Sequence, residues 1–455
     1  MIERKKYKPV RSLTFKGKFL VRAIRLAFRI RRFLMGKDWE SEPPGHHEDP
    51  LHMQPGELLH FAHKYYFRII HKAAEQSDLE NHFRENTGNI QVPEGFVPEH
   101  TLTLSAGGDL MPYYCINKNT CSSLWDECGD FFFGADLVTA NLETPVNLLN
   151  KPSPVPEVML KNMYFNGSRE MFDVFSGNGK YNGYHVLSVA NNHSLDQGEA
   201  GLLQTLHFLE KRKVRYCGAA KQEDLRDDFP IIDKNGIRVA FLAATFSLNA
   251  LKTPPGKEWM VNHLPLNVED PDIELLIHQS KLARERRADF IVAHLHMGLA
   301  YQPFPSHYSV KTIHRICEQT GIDIVLGGHP HNPQPVEFYQ FTDPFSRKPK
   351  QSFIVYSLGD FVAYDIFKWC HLPLMLKFTI EKGKEGSFIT GLEMKLAYMQ
   401  AVVRKGKVEK LILRDFNRLI KDPSSLDSRS LKEFRELEQF AKQFLLPGNV
   451  EKFLV

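Results

Sequence analysis

The chain has 455 residues, which suggests about three average domains or one large α/β domain with extensions. It is 42% hydrophobic and 25% charged, an ordinary globular composition able to bury a large core. The net charge of +4 hides an asymmetry: residues 1–38 hold thirteen Lys/Arg and two acids, net +11, leaving −7 for the rest. That distribution excludes a global basic field for nucleic acid.

Phe15–Met35 is the first predicted element. Lys16, Lys18, Arg22, Arg25, Arg29, Arg31 and Arg32 interrupt its apolar residues, so it has neither the clean apolar core of a signal peptide nor the length of apolar chain a transmembrane helix needs. Phe19, Leu20, Ile24, Ala27, Phe28 and Met35 instead recur at helical spacing. Such a basic amphipathic helix suits either an anionic membrane surface or the protein's own body. A cytoplasmic chain, at most peripheral to the membrane, is expected. Residues 1–38 form this basic segment, and 39–100 a linker with a helical extension. Within it, residues 39–56 are polar and Pro-rich, and the run from His46 to His52 reads as a flexible surface stretch rather than a metal cluster. A helix is expected over Gly56–Gln76 and a connector over 77–100.

From residue 101 the pattern changes to alternating β and α. Strands are expected at Thr101–Ser105, Asp136–Leu142, Tyr184–Ala190, Asp289–His296, Ile322–Leu326 and Gln351–Leu358, with more over 374–402. Helices are expected at Gly198–Lys213, Pro271–Ala288, Tyr308–Thr320 and Ser430–Leu446. Pro230–Ala244 reads as a hairpin turning at Lys234-Asn235-Gly236, since Asn-Gly accepts the positive φ of a tight turn. The order predicts an α/β layered fold with mixed β-sheets flanked by helices over residues 101–400, and a helical extension over 401–455. The six cysteines, Cys115, Cys121, Cys128, Cys217, Cys317 and Cys370, match no zinc spacing and read as free thiols.

Five apolar strands end in polar clusters: Asp109, Glu143, Asn192/His193, His294/His296 and His329/His331. Strand carboxyl ends line the ligand crevice of α/β sheets. Two carboxylates, an amide and several imidazoles form a mixed O/N donor set that suits Zn, Mn, Fe or Ni better than Ca or Mg. Taken singly, each of these residues is equally at home in a turn or a core.

The ordered series GDLM (108–111), ANLETP (140–145), SVANNHSLDQGEAGLLQTLHFL (188–209), HMGLAY (296–301), GGHPHNPQP (327–335) and YSLGDF (356–361) resembles the CapA family, over roughly residues 101–400. That family is named for poly-γ-glutamate capsule synthesis and is similar to calcineurin-like metallophosphoesterases in fold. The resemblance implies two divalent metal ions. Asp109 and His331 would hold the first, Asn192, His296 and His329 the second, with Glu143 where the superfamily has its bridging Asp. It implies that His193 contacts a substrate phosphate and protonates the leaving oxygen. Asp196 would orient His193 or its loop, or cap the following helix. Met111 stands where the calcineurin-like signature has an imidazole. Asp360 replaces the usual Asn of Gly-Asn-Phe, and either adds charge near the centre or caps a turn. His294 lies on the same strand face as His296, and backs a ligand, serves the core or replaces a missing ligand.

Three functions are compatible with this reading. One is a metal-dependent phosphoesterase acting on a phosphorylated small molecule or polymer precursor. Another is an accessory protein of capsule or surface-polymer synthesis or export that uses the centre for binding. The third is a non-catalytic descendant that keeps only the fold.

Overall fold

Apolar strands that end in glycine or a polar residue build the frame of this protein. In a computed structural model, residues 9–36, 40, 42–43, 45–73, 77–85, 88–160, 164–446 and 450–455 are described. Three helices come first: α1 (Phe15–Met35), α2 (Pro55–Tyr66) and α3 (Leu79–Glu85). Next come β1 (His100–Leu110), α4 (Gly129–Phe133), β2 (Leu137–Leu142), α5 (Arg169–Phe175), β3 (Val186–Ser188), α6 (Gly198–Lys211) and β4 (Arg215–Cys217). The hairpin β5 (Ile231–Lys234) and β6 (Ile237–Thr245) precedes α7 (Glu274–Glu285), β7 (Phe290–His296), α8 (His307–Thr320) and β8 (Ile324–Gly328). Then follow β9 (Val336–Thr342), β10 (Pro349–Val355), β11 (Asp360–Val362), β12 (Leu374–Gly383), β13 (Gly386–Arg404) and β14 (Lys407–Asp415). The last helices are α9 (Phe416–Lys421) and α10 (Ser428–Phe440).

The strands form two mixed sheets, as expected. The first runs β14-β13-β12-β1-β2-β3-β4, with β11 paired to β1; the second runs β5-β6-β7-β8-β10-β9. β1 to β4 are parallel, as are β6 to β8 and β10, while hairpins close the edges. Every residue of β2, β7 and β8 is buried, as expected for parallel strands covered on both faces. The fold class is therefore α/β, two mixed sheets flanked by helices. The expected hairpin turns at Asn235 and Gly236, with φ of 53° and 81°. α8 starts at Ser306, whose hydroxyl accepts from the Ser309 N–H, and stops at left-handed Gly321.

Three local expectations change. The helix expected over Gly56–Gln76 ends at Tyr66, and residues 74–76 lie outside the described residues. The 77–100 stretch contains α3. β13 runs through residue 400 and β14 extends the same sheet, so the helical part of the C-terminal region starts at Phe416. No helix among the described residues is long and apolar enough to cross a membrane. All six cysteines are buried and free.

Candidate metal centre

The parallel strands of both sheets deliver their carboxyl ends to one place. Asp109 is the penultimate residue of β1, and Glu143 follows β2 by one residue. Asn192, His193 and Asp196 lie in the turn between β3 and α6. His296 closes β7, and His329 and His331 follow β8. His329 and His331 adopt positive φ, 91° and 61°, which folds the Gly-His-Pro-His loop tightly against the strand ends. Gly328 keeps the sheets close: a Cβ there would lie 2.8 Å from Asp109 Oδ1. All eight expected site residues are buried.

Two overlapping donor groups result. Asp109, Glu143 and His296 bring one ligand atom each within 4.8 Å of one another, and so do Asp109, His331 and Asp360. Asp109, rather than Glu143, is the member both groups share. Asp360 is thus part of the centre, its Oδ1 2.9 Å from His331 Nδ1. Asn192 Oδ1 lies 2.8 Å from His296 Nε2. His329 stands outside both groups, its ring centroid 5.2 Å from that of His296 and 5.8 Å from that of His331. His193 Nε2 is 3.9 Å from Glu143 Oε1, and Asp196 Oδ2 is 2.7 Å from His193 Nδ1. Asp196 also accepts from the Phe165 N–H, and the Phe165 ring stacks on His193 at 4.3 Å. Gln197, not Asp196, is the N-cap of α6. His294 points elsewhere: its Nε2 is 2.8 Å from Thr139 Oγ1, inside the core. Met111 is buried.

Sequence reasoning missed four contributors. Asn141 donates to Asp109 Oδ1 at 2.8 Å and lies 3.3 Å from His296 Nδ1. Its place inside ANLETP, two residues before Glu143 on the same strand face, was the available signal. Asn249, from the loop after β6, sits 3.3 Å from the His193 ring nitrogens. Phe165 carries no sequence signal at all. Glu48 did carry one, in the His46–His52 run weighed as a metal cluster and read as flexible surface: that run is instead packed in, with His46 and Glu48 buried and Glu48 Oε2 3.8 Å from His329 Nε2. The physical reason is Lys64 of α2, buried beside Glu48 and ion-paired with it.

The electrostatics of the acids and of two imidazoles fit a cation, while, against burial, Asp360 and Glu143 push His331 up to about 10. Burial, then the neighbouring Glu143, pushes Asp109 up to about 6. Burial pushes Asp360 up to about 8 against the pull of His331. Burial lowers His296 to about 3 and His329 to about 4, leaving neutral imidazoles with lone pairs to donate. Both Glu143 oxygens, both His329 nitrogens and Asp360 Oδ2 are buried and make no hydrogen bond. Such groups are costly to bury alone, and a divalent transition ion would satisfy them together.

The family described as bacterial capsule synthesis protein PGA_cap matches residues 103–365. The capsule biosynthesis protein CapA of Bacillus anthracis is 29% identical over 57% of this chain and 59% of its own length. The PGA biosynthesis protein CapA of Bacillus subtilis is 26% identical over 70% of this chain and 79% of its own. A probable polyglutamine synthesis accessory protein of Mycobacterium tuberculosis is 28% identical over 39% and 45%. The chain therefore spans about three fifths of the first relative and less than half of the last. Among solved structures, the calcineurin-like phosphoesterase YfkN of Bacillus subtilis overlaps at 14% identity and a TM-score of 0.37, over 76% of this chain and 99% of that one.

Proposed function

The chain belongs to the bacterial capsule synthesis protein family PGA_cap, and from that premise we propose that its buried centre is a dinuclear metal site for hydrolysing a phosphate ester. The observation that carries the reading is the set of buried Glu143, His329 and Asp360 atoms without hydrogen bonds, where five strand ends converge. Asp109, His331 and Asp360 would hold one ion, and Asp109, Glu143 and His296, with Asn192 and His329 beside them, the other. Divalent Mn, Zn, Fe or Ni there would supply Lewis-acid charge to phosphoryl oxygens and lower the pKa of water. The protein's own part is orientation and proton delivery. Asp196 accepts the Nδ1–H of His193, and the Phe165 ring holds the imidazole plane. Burial lowers the His193 pKa, but Asp196 and Glu143 outweigh it and the net shift is upward. Nε2 then faces the centre, 3.9 Å from Glu143 Oε1, where an imidazole can give a proton to a leaving oxygen.

The test is turnover of a generic aryl phosphate ester by protein supplied with Mn, Zn, Ni or Fe. Activity is expected, with His193→Asn lowering kcat by about 10²–10⁴-fold. No turnover with any of the four metals would overturn the hydrolytic reading.

A second reading follows from the relatives' names. The centre would bind a polymer precursor during capsule or surface-polymer synthesis without turning it over. Stoichiometric metal with no turnover would favour it.

A further inference from the structure

We propose that Glu48, brought in by the N-terminal segment, positions His329 by accepting the hydrogen of its Nε2, so that Nδ1 faces the metal centre. This rests on the metal reading above. A carboxylate flanks another imidazole of the centre in this way. His193 Nδ1 lies 2.7 Å from Asp196, and its Nε2 faces the centre, 3.9 Å from Glu143 Oε1. A carboxylate on the outer nitrogen fixes the tautomer and plane of a ligating histidine. Among the described residues the His329 ring has no hydrogen-bond partner, and Glu48 Oε2 stands 3.8 Å from its Nε2. That separation is longer than a hydrogen bond, and the ring closes it when Nδ1 takes a cation.

The carboxylate is built to stay there. Its Oε2 accepts from the Ala300 N–H at 2.7 Å; its Oε1 takes the Lys64 ammonium and lies 3.0 Å from His46 Nε2. The neighbouring backbone is pinned as well. Ser247 Oγ donates to Asp49 at 2.8 Å, Asn267 donates to the His47 carbonyl at 2.9 Å, and Tyr308 to the His46 carbonyl at 3.3 Å. A loose tether would not carry these contacts. The segment ahead of β1 is, on this view, part of the metal centre rather than a leader to it.

The test uses the full chain and Mn²⁺, titrated calorimetrically and counted by elemental analysis. Glu48→Met with Lys64→Met removes the buried pair without stranding either charge. One of two Mn²⁺ ions is expected to bind about 10–100-fold more weakly, with the apo unfolding midpoint little changed. Glu48→Gln keeps an acceptor oxygen and should restore most of that affinity. In Co²⁺-loaded protein, the visible bands of one ion should move in the double variant and return in Glu48→Gln. Wild-type affinity for both ions and an unchanged Co²⁺ spectrum in the double variant would overturn the proposal alone. A wild-type protein that takes up no Mn²⁺ would overturn the metal reading and this proposal with it. If the double variant does not fold, ring ¹⁵N shifts of His329 in Zn²⁺-loaded wild type decide. Hydrogen on Nε2 is expected; hydrogen on Nδ1 would overturn the assignment.

Discussion

Asp360 stands beside Asp109 because glycines let two backbones touch. A Cβ on Gly108 would sit 1.9 Å from the Gly359 carbonyl oxygen, and that same oxygen accepts from the Asp109 N–H at 3.0 Å. Gly359 holds a φ of 73°, and a Cβ there would meet Pro333 N at 2.8 Å. The approach sets β11 parallel to β1 with Asp109 opposite Asp360, so the register itself delivers the third carboxylate. Gly108→Ala should therefore cost at least about 1–3 kcal/mol and separate Asp360 from Asp109. Denaturant unfolding measures the first, and a lower metal content, on the dinuclear reading proposed above, measures the second. An alanine variant with unchanged stability and metal content would contradict the close-approach argument.

α1 matches the amphipathic helix expected at Phe15–Met35, but it carries two apolar faces rather than one. Val21 and Phe28 are buried, with Leu20 and Ile24 partly so, and the Phe28 ring packs against His63 and Phe67 at 5.7 and 5.9 Å. The opposite stripe, Phe15, Phe19, Leu26, Ile30 and Phe33, is exposed, Phe15 and Phe33 each at 88%. Lys18, Arg22 and Arg29 run alongside that stripe. The helix thus packs on the body and still presents a basic, aromatic surface. We propose that this outer face rests on anionic lipid. Cosedimentation with phosphatidylserine-containing vesicles should fall at least tenfold in Phe15→Ser/Phe33→Ser, and should weaken with salt. Equal partition of variant and wild type would sink the idea.

The regions flanking residues 101–400 are stitched onto them. Arg11 Nη1 lies 2.6 Å from Glu433 of α10, and His371 Nδ1 lies 2.8 Å from the same carboxylate. Asp365 accepts from Tyr65 of α2, from Tyr113 and from Tyr301, and Tyr301 stacks on His331. Burial alone would push Glu433 up, yet His371 and Arg11 hold it down to about 2. Its folded pKa is depressed from 4.5, so its stabilisation is present above that value and lost as pH falls toward about 2. The loss amounts to about 3 kcal/mol. Unfolding free energy measured across that range should flatten in Glu433→Gln; an unchanged acid profile would show that this carboxylate is not a staple.

The sequence by itself determined where most of the site-bearing strands lie, the hairpin at Asn235-Gly236, and which polar residues close the strands. Periodicity and turn residues are local, and a polar residue closing a buried strand has few roles open to it. It also determined the family, because six motifs in order leave little else. Only the tertiary structure decided which donors group together: Asp109 shared, Asp360 included, His294 turned into the core. Those outcomes depend on register and on where two sheets touch, which no local pattern encodes. The same holds for His46–His52. Polar composition reads as surface, but Lys64 and Ala300, distant in sequence, give Glu48 the partners that make its burial affordable.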